Sequence, residues 1–166
     1  DAELESVNTN DVVRELIKML SETFPKTVTF SLDLDLRLPD ITADPTQLHQ
    51  SLLNLCVNAR DAMPSGGTIK ITSKAVTLAT SLIRNNATVP VGEYAVIHVS
   101  DTGTGIPADL LTKIFEPFYT TKDVGVGTGL GLSVSFGIVH DMGGNMIAEN
   151  TPQGARISVE LPIIKA

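Results

Sequence analysis

Two hydrophobic periods alternate along this chain of 166 residues, and that alternation limits the folds open to it. Residues 27–36, TVTFSLDLDL, place an apolar residue at every second position, which is the period of a strand with one buried face. Residues 10–23 and 43–63 instead place apolar residues at helical spacing. Helices that alternate with such strands predict one α/β domain, a two-layer sandwich with a mixed, mostly antiparallel sheet and its helices on one face.

Cap and turn residues mark the ends of these elements. Asn10 is predicted to cap the first helix, and Asp44, followed by Pro45, the second. The pattern predicts further strands at 68–76, 93–100, near 145–150 and 155–162, a polar loop at 80–92, a short helical stretch at 108–115, and a third helix that stops at Gly143.

The charge and the cysteine content exclude several classes of function. Lys and Arg number 12 against 19 Asp and Glu, a net charge of −7, which argues against a nucleic-acid or anionic-membrane partner. The single Cys56 cannot pair within the chain and is predicted to be a buried thiol in a reducing, cytoplasmic compartment. The chain shows no membrane span or signal peptide, and because it begins with Asp we expect an excised fragment.

A polar stripe runs along the second predicted helix. At about 100° per residue, one face carries Gln47, Ser51, Asn54, Asn58 and Asp61, with apolar residues on either side. Buried amides need a partner, so this face is either the floor of a ligand pocket or a second solvent face. The side-chain oxygen of Asn58 suits Mg²⁺, which prefers hard oxygen ligands.

The sequence DTGTGIP, residues 101–107, follows a predicted strand and opens with an acid. Its Gly103, Gly105 and Ala108 match the spacing of a dinucleotide-binding loop, but Pro107 fits a phosphate-binding helix poorly. Asp101 would repel a phosphate, whereas a carboxylate suits the exocyclic amine of adenine. A plain turn is the alternative interpretation.

A second glycine cluster, GVGTGLGLS at 125–133, precedes the third helix. Backbone amides and the positive end of that helix can meet phosphate there, although a flexible hinge has the same composition. Just upstream, FEPFYTTK at 115–122 ends in Lys122, which could close over a terminal phosphate or lie on the surface.

NLCVNARDAM, DTGTGIP, FEPFYTTK and GTGLGLS, in that order, resemble the four boxes of the catalytic, ATP-binding domain of sensor histidine kinases. The resemblance covers residues 10–163, and this combination of boxes is highly specific. It implies the Bergerat fold, shared with topoisomerase and chaperone ATPases, with a mobile lid over ATP. Residues 1–9 would then be the remnant of a linker from an upstream hairpin, and 10–166 the catalytic domain.

The resemblance also implies roles for single residues. Asn58 is the Mg²⁺ ligand, and Asn54 is its partner one turn earlier. Asp101 takes the adenine amine, and Phe115 and Phe118 anchor the lid. Lys122 is our own candidate for a catalytic cation. The implied ATP-binding residues are Asn54, Asn58, Asp61, Asp101, Gly103, Gly105, Ile106, Phe118, Thr121, Lys122, Gly127, Thr128, Gly129, Leu130, Gly131 and Leu132.

Two features depart from the family pattern. Many histidine kinases carry Lys or Arg three residues after the metal-binding Asn, where this chain has Asp61, so we expect Lys122, or alternatively Arg60, to supply the cation. None of His49, His98 and His140 lies in a setting like that of a phosphate acceptor. The resemblance therefore implies an acceptor His on a dimerisation hairpin outside these residues, and a response regulator downstream.

These observations lead to three functional hypotheses. The first is a kinase of two-component phosphorelays that transfers the γ-phosphate of ATP to that His, with a monomeric catalytic domain whose parent protein can be membrane-anchored. The second is an ATPase of the topoisomerase or chaperone kind, although Asn54 stands where those enzymes carry a Glu that activates water. The third is a nucleotide-gated interaction module.

Overall fold

A computed structural model describes residues 3–84, 87–111, 113–115 and 131–163. The described helices are α1 (Thr9–Thr23), α2 (Pro45–Asp61) and α3 (Gly131–Asp141), with a turn of 3₁₀ helix at Ala108–Leu110. The described strands are β1 (Glu5–Val7), β2 (Val28–Leu34), β3 (Ile41–Ala43), β4 (Gly67–Leu78), β5 (Leu82–Arg84), β6 (Ala87–Val89), β7 (Gly92–Ser100), β8 (Asn145–Asn150) and β9 (Ala155–Pro162).

Five strands form the main sheet, in the order β2-β4-β7-β9-β8. The pairing of β2 with β4 is parallel, and the other pairs are antiparallel. Apolar residues from all three helices form one core with a single face of this sheet, for example Leu16 and Leu52 with Ile97. The predicted two-layer sandwich, with a mixed sheet and helices on one face, is therefore confirmed. No helix within the described ranges is long and apolar enough to cross a membrane.

Helix α2 begins where the sequence predicts. The Asp44 side chain accepts hydrogen bonds from the amides of Thr46 at 2.9 Å and Gln47 at 3.2 Å, and Pro45 occupies the first turn. The pKa of Asp44 is lowered, chiefly by a further hydrogen bond from the amide of Glu3 and also by the two capping bonds. The cap fixes the start of the helix that carries the polar stripe.

The start of α1 differs from the prediction. Its N-cap is Asn8, whose side chain accepts from the amide of Asp11 at 3.0 Å, so the assignment of Asn10 was wrong. Asn10 is buried instead, where it donates to the carbonyl of Asp35 at 2.7 Å and accepts from the Ser73 hydroxyl at 2.7 Å. Helix α1 starts earlier than predicted because β1, which pairs with β3, ends at Val7, directly before the cap residue Asn8.

The predicted polar loop at 80–92 contains strands β5 and β6, which pair as a hairpin. Val89 packs with Tyr94 and Val96 in a second apolar cluster, which Leu82 also contacts. Because Ile97, next along β7, belongs to the main core, this cluster lies on the opposite face of the sheet. Both faces of the sheet are thus apolar at this end.

Candidate functional site

The predicted site residues divide between three described segments, namely α2, the loop after β7 and the start of α3. The remaining predicted site residues lie outside the described ranges: Phe118, Thr121, Lys122, Gly127, Thr128, Gly129 and Leu130. Their assigned roles stay predictions.

Asp101 stands at the end of β7 and is only 6% exposed. Its amide continues the sheet by donating to the carbonyl of Ala155 at 2.9 Å. Its Oδ1 atom accepts from the amides of Gly103 at 2.9 Å and Ala155 at 3.3 Å. Burial raises the pKa of this carboxyl, while the two amide hydrogen bonds act in the opposite direction. The backbone therefore fixes the orientation of the carboxylate.

The second carboxylate oxygen of Asp101 has a different environment. No group among the described residues donates a hydrogen bond to Oδ2. A carboxylate oxygen accepts more than one hydrogen bond. Oδ2 is thus an oriented acceptor that can receive a hydrogen bond from an external donor such as an amine.

The loop that begins at Asp101 lies against the end of α2. A Cβ atom on Gly103 would stand 2.3 Å from the carbonyl oxygen of Ala62, so only glycine permits this close approach. Gly105 has a φ of +79°, in the left-handed region that side chains disfavour. These two glycines shape the loop, and Gly103 does so by packing it against the end of α2. Their role in a base pocket stays a prediction.

Side chains that the sequence analysis did not identify hold this loop. The amide and hydroxyl of Thr102 lie 3.4 Å from the sulfur of Met63, and its hydroxyl accepts from the amide of Thr68 at 3.1 Å. The side chain of Asn150, at the end of β8, bonds to both backbone groups of Ile106. In sequence, Asn150 carries only the signal of a turn residue, which does not reveal its distant partner.

The polar stripe of α2 is neither fully buried nor a solvent face. Ser51 is completely buried, and its carbonyl accepts from the hydroxyl of Ser135 on α3 at 3.0 Å. Asn54 and Asn58 are half-buried, and Asp61 is exposed. Helix α3 therefore covers the first part of the stripe and leaves its later part accessible, which fits the pocket-floor interpretation better than the solvent face.

The two asparagines of the stripe differ in their partners. The Asn54 side-chain oxygen accepts from the Gln50 amide at 2.9 Å. The Asn58 side chain, in contrast, makes no hydrogen bond to any described residue. A half-buried amide in this state keeps both its oxygen and its NH₂ group for a ligand. No cluster of three or more His, Cys, Asp or Glu suited to a metal occurs within the described ranges.

The cationic candidate on α2 is already engaged. Arg60 forms an ion pair with Asp61 at 3.2 Å, and its guanidinium lies 4.9 Å from the centre of the Phe24 ring. Phe24 follows α1 directly, so the ring contact holds Arg60 beside α1, while Asp61 is its neighbour on α2. Such stacking stabilises the guanidinium in place.

Phe115 and the start of α3 complete the described part of the site. Phe115 is buried, and its ring stacks on that of Phe136 with 5.4 Å between centroids. Gly131 is the first residue of α3, and Leu132 packs against the main core. Phe115 is thereby fixed to α3, which is consistent with an anchor for the segment that follows it.

The fold and these sequence boxes define a class of protein. Residues 43–165 match the model of the histidine kinase-, DNA gyrase B- and HSP90-like ATPases, and the chain belongs to this family. Domains of this family bind ATP. The match confirms the family that the four boxes predict.

Particular relatives place the chain among histidine kinases. It is 41% identical to sensor kinase CckA of Brucella abortus over 95% of this chain and 17% of that protein. The structure of the nucleotide-free catalytic domain of histidine kinase ThkA has a TM-score of 0.75 and 34% identity, covering 96% of this chain and 95% of that one. Full-length ShkA in complex with AMPPNP has a TM-score of 0.78 and 26% identity, covering 100% and 32%. The predicted class of domain, the catalytic domain of a histidine kinase, is confirmed.

Proposed function

We propose that this chain binds ATP and Mg²⁺ with residues of α2, the loop after β7 and the start of α3, and transfers the γ-phosphate to a histidine on a separate hairpin. The chain spans 17% of sensor kinase CckA, which leaves room for an acceptor hairpin elsewhere in such a protein. The observation that carries the proposal is Asp101, a buried carboxylate with one oxygen held by backbone amides and the other without a donor among the described residues.

Asp101 explains the choice of base. Adenine presents an amine to a facing acceptor, whereas guanine presents a carbonyl oxygen at the same position of its ring. A hydrogen bond to a charged acceptor contributes about 1.5–3 kcal/mol, and a carboxylate facing a carbonyl oxygen is repulsive. The buried, preoriented Asp101 is therefore suited to select ATP over GTP.

Asn58 is the residue that would hold Mg²⁺. Its half-buried amide has no partner among the described residues, and amide oxygens are ligands that Mg²⁺ accepts together with phosphates and water. Mg²⁺ held there would neutralise charge on the phosphates. Because Arg60 is held by Phe24 and Asp61, we assign the cation at the terminal phosphate to Lys122. The main contribution of the domain is to position ATP and exclude water, since a neutral imidazole is itself a nucleophile.

The alternative of an efficient ATPase has less support. Hydrolysis needs a base for water, and the position one turn before Asn58 holds Asn54, which accepts a hydrogen bond from Gln50 and cannot take up a proton at neutral pH. We therefore expect slow hydrolysis by the isolated domain.

The partners follow from the same role. We propose an acceptor hairpin of the same parent protein, which would also supply the dimer interface, and a receiver domain of a response regulator. A structure of ThkA with the response regulator TrrA, 31% identical to this chain and with a TM-score of 0.71, supports the second partner. It covers 97% of this chain and 42% of that one. Because the chain would use ATP, we propose that it acts in the cytoplasm.

The test is transfer of label from ATP. The chain is mixed with Mg²⁺, ATP carrying radioactive phosphorus in its γ-position, and a purified hairpin with an acceptor histidine. We expect acid-labile label on the hairpin, and label that accumulates several-fold more slowly with Asp101→Asn at an ATP concentration near the wild-type Kd. Release of free phosphate at several turnovers per second without labelled hairpin would favour the ATPase instead.

A further inference from the structure

The turn between β8 and β9, residues 150–154, contacts the loop that carries Asp101. We propose that this turn positions the base-recognition loop, residues 101–107, through Gly154, whose missing side chain makes room for Asp101, and Asn150, whose side chain clamps Ile106. The inference rests on the proposed function, since it concerns how the adenine-binding carboxylate is held.

Gly154 is required for space rather than for its backbone conformation. It is buried, and its φ lies outside the left-handed region that would by itself demand glycine. A Cβ atom there would stand 2.4 Å from the carbonyl oxygen of Asp101, 2.8 Å from Oδ1 of Asp101 and 2.8 Å from the amide nitrogen of Gly103. Of these atoms, two belong to the backbone and cannot rotate away.

The methyl group of an alanine at 154 would therefore press on the hydrogen bond between Oδ1 of Asp101 and the amide of Gly103. The second donor to Oδ1 is the amide of Ala155, the next residue along the turn. A shift of residue 154 would move this donor as well. Both bonds that orient the carboxylate thus depend on the absence of a side chain at Gly154.

Asn150 holds the other end of the loop. Its Oδ1 atom accepts from the amide of Ile106 at 2.7 Å, and its Nδ2 group donates to the carbonyl of Ile106 at 2.6 Å. One side chain thereby pairs with both backbone groups of one residue, as a neighbouring strand would. A Cβ atom on Gly105 would stand 3.0 Å from the same Oδ1, so the contact is close on both residues.

The two contacts together imply a specific phenotype. They fix the direction of Asp101 Oδ2 without touching α2, where the metal ligand Asn58 lies. A fault in the turn should therefore weaken the recognition of the base amine and leave the contribution of the phosphates and Mg²⁺ in place. General loss of structure would instead weaken binding of every nucleotide alike.

The test compares ATP with purine riboside triphosphate, which lacks the amine, in calorimetric titrations with Mg²⁺. We expect wild type to bind ATP at least roughly tenfold more tightly, the equivalent of one charged hydrogen bond. In Gly154→Ala this ratio should fall to about threefold or less, with the affinity for the analogue nearly unchanged. Gly137→Ala is the matched control, because a Cβ there meets open space, and Gln153→Ala is the control within the turn.

Asn150→Ala tests the role of the turn independently, and it remains informative if Gly154→Ala does not fold. We expect a reduced ratio in Asn150→Ala, with an unfolding midpoint close to that of Gln153→Ala. Retention of the wild-type ratio in every folded variant of Gly154 and Asn150 would overturn the inference. A wild-type protein that binds both nucleotides equally would instead contradict the proposed role of Asp101, so the two failures are distinguishable.

Discussion

The amide of Gly103 donates a 2.9 Å hydrogen bond to Oδ1 of Asp101, two residues earlier, and so turns the carboxylate of a buried side chain in one direction. The other carboxylate oxygen has no donor among the described residues. An amide in place of this carboxylate would keep its oxygen toward Gly103 and present an NH₂ group where the adenine amine also donates.

Asp101→Asn should therefore weaken ATP binding by roughly tenfold or more, because a charged acceptor is replaced by a competing donor. Calorimetric titration in the presence of Mg²⁺ measures the change, and GTP binding by both proteins is the control. Wild type should prefer ATP, and Asp101→Asn should lose most of this preference. An unchanged affinity for ATP would rule out Asp101 as the contact to the base.

The same substitution should stabilise the nucleotide-free domain at neutral pH. Burial raises the pKa of Asp101 above the ordinary value of 3.8, so the folded state holds its proton more tightly than the unfolded state. The contribution of this group to stability is then complete below the unfolded pKa and is lost as the pH rises through the folded pKa. The advantage of Asp101→Asn should grow between pH 4 and pH 7 in urea unfolding; a variant less stable than wild type at pH 7 would contradict this account.

His98 should make stability depend on pH in the opposite sense. Its Nδ1 atom lies 2.6 Å from the buried Ser158 hydroxyl, and burial, with the nearby cations Arg156 and Lys74, lowers its pKa against the weaker opposing effect of Glu149 and Glu160. A depressed pKa gives stability that is present above the unfolded value of about 6.5 and lost as the pH falls.

The measurement is the free energy of unfolding of wild type and His98→Gln at pH 7.5 and pH 5.5. We expect wild type to lose more stability on acidification than the variant, because the imidazole must be protonated in a half-buried position beside two cations. An equal pH dependence in the two proteins would show that another group titrates in this range.

Asn58→Ala should change how ATP binding depends on Mg²⁺. Wild type should bind ATP more tightly with the ion than with a chelator, and the variant should lose most of this difference because it removes the assigned ligand. Calorimetry with and without Mg²⁺ gives both values, and His49→Ala, on the same helix outside the stripe, is the control. A variant with the full effect of Mg²⁺ would move the metal site elsewhere.

The sequence predicts those features of the fold that depend on local patterns. The cap at Asp44 and Pro45 is such a pattern, because the bonds that cap the helix go to Thr46 and Gln47 in the turn that follows. The choice between Asn8 and Asn10 is different, since both can cap a helix and a distant partner, Ser73, decides which one is buried. The strands β5 and β6 escape prediction because Leu82 and Val89 find their apolar contacts on another strand, at Tyr94.

The candidate site likewise divides into residues that a local pattern predicts and residues that only distant contacts define. The sequence predicts Asp101, Gly103 and Gly105 as site residues because they stand close together in one short motif. It does not predict Gly154 and Asn150, because their role depends on contacts with a loop that is distant in the sequence. Each has the sequence pattern of an ordinary turn residue.

The most direct test of the account is a crystal structure of the domain with a non-hydrolysable ATP analogue and Mn²⁺ in place of Mg²⁺, with the metal located by its anomalous scattering. The account predicts the adenine amine within hydrogen-bond distance of Oδ2 of Asp101 and the metal bound by the side-chain oxygen of Asn58. An adenine ring that does not contact Asp101, or a metal bound away from Asn58, would contradict it.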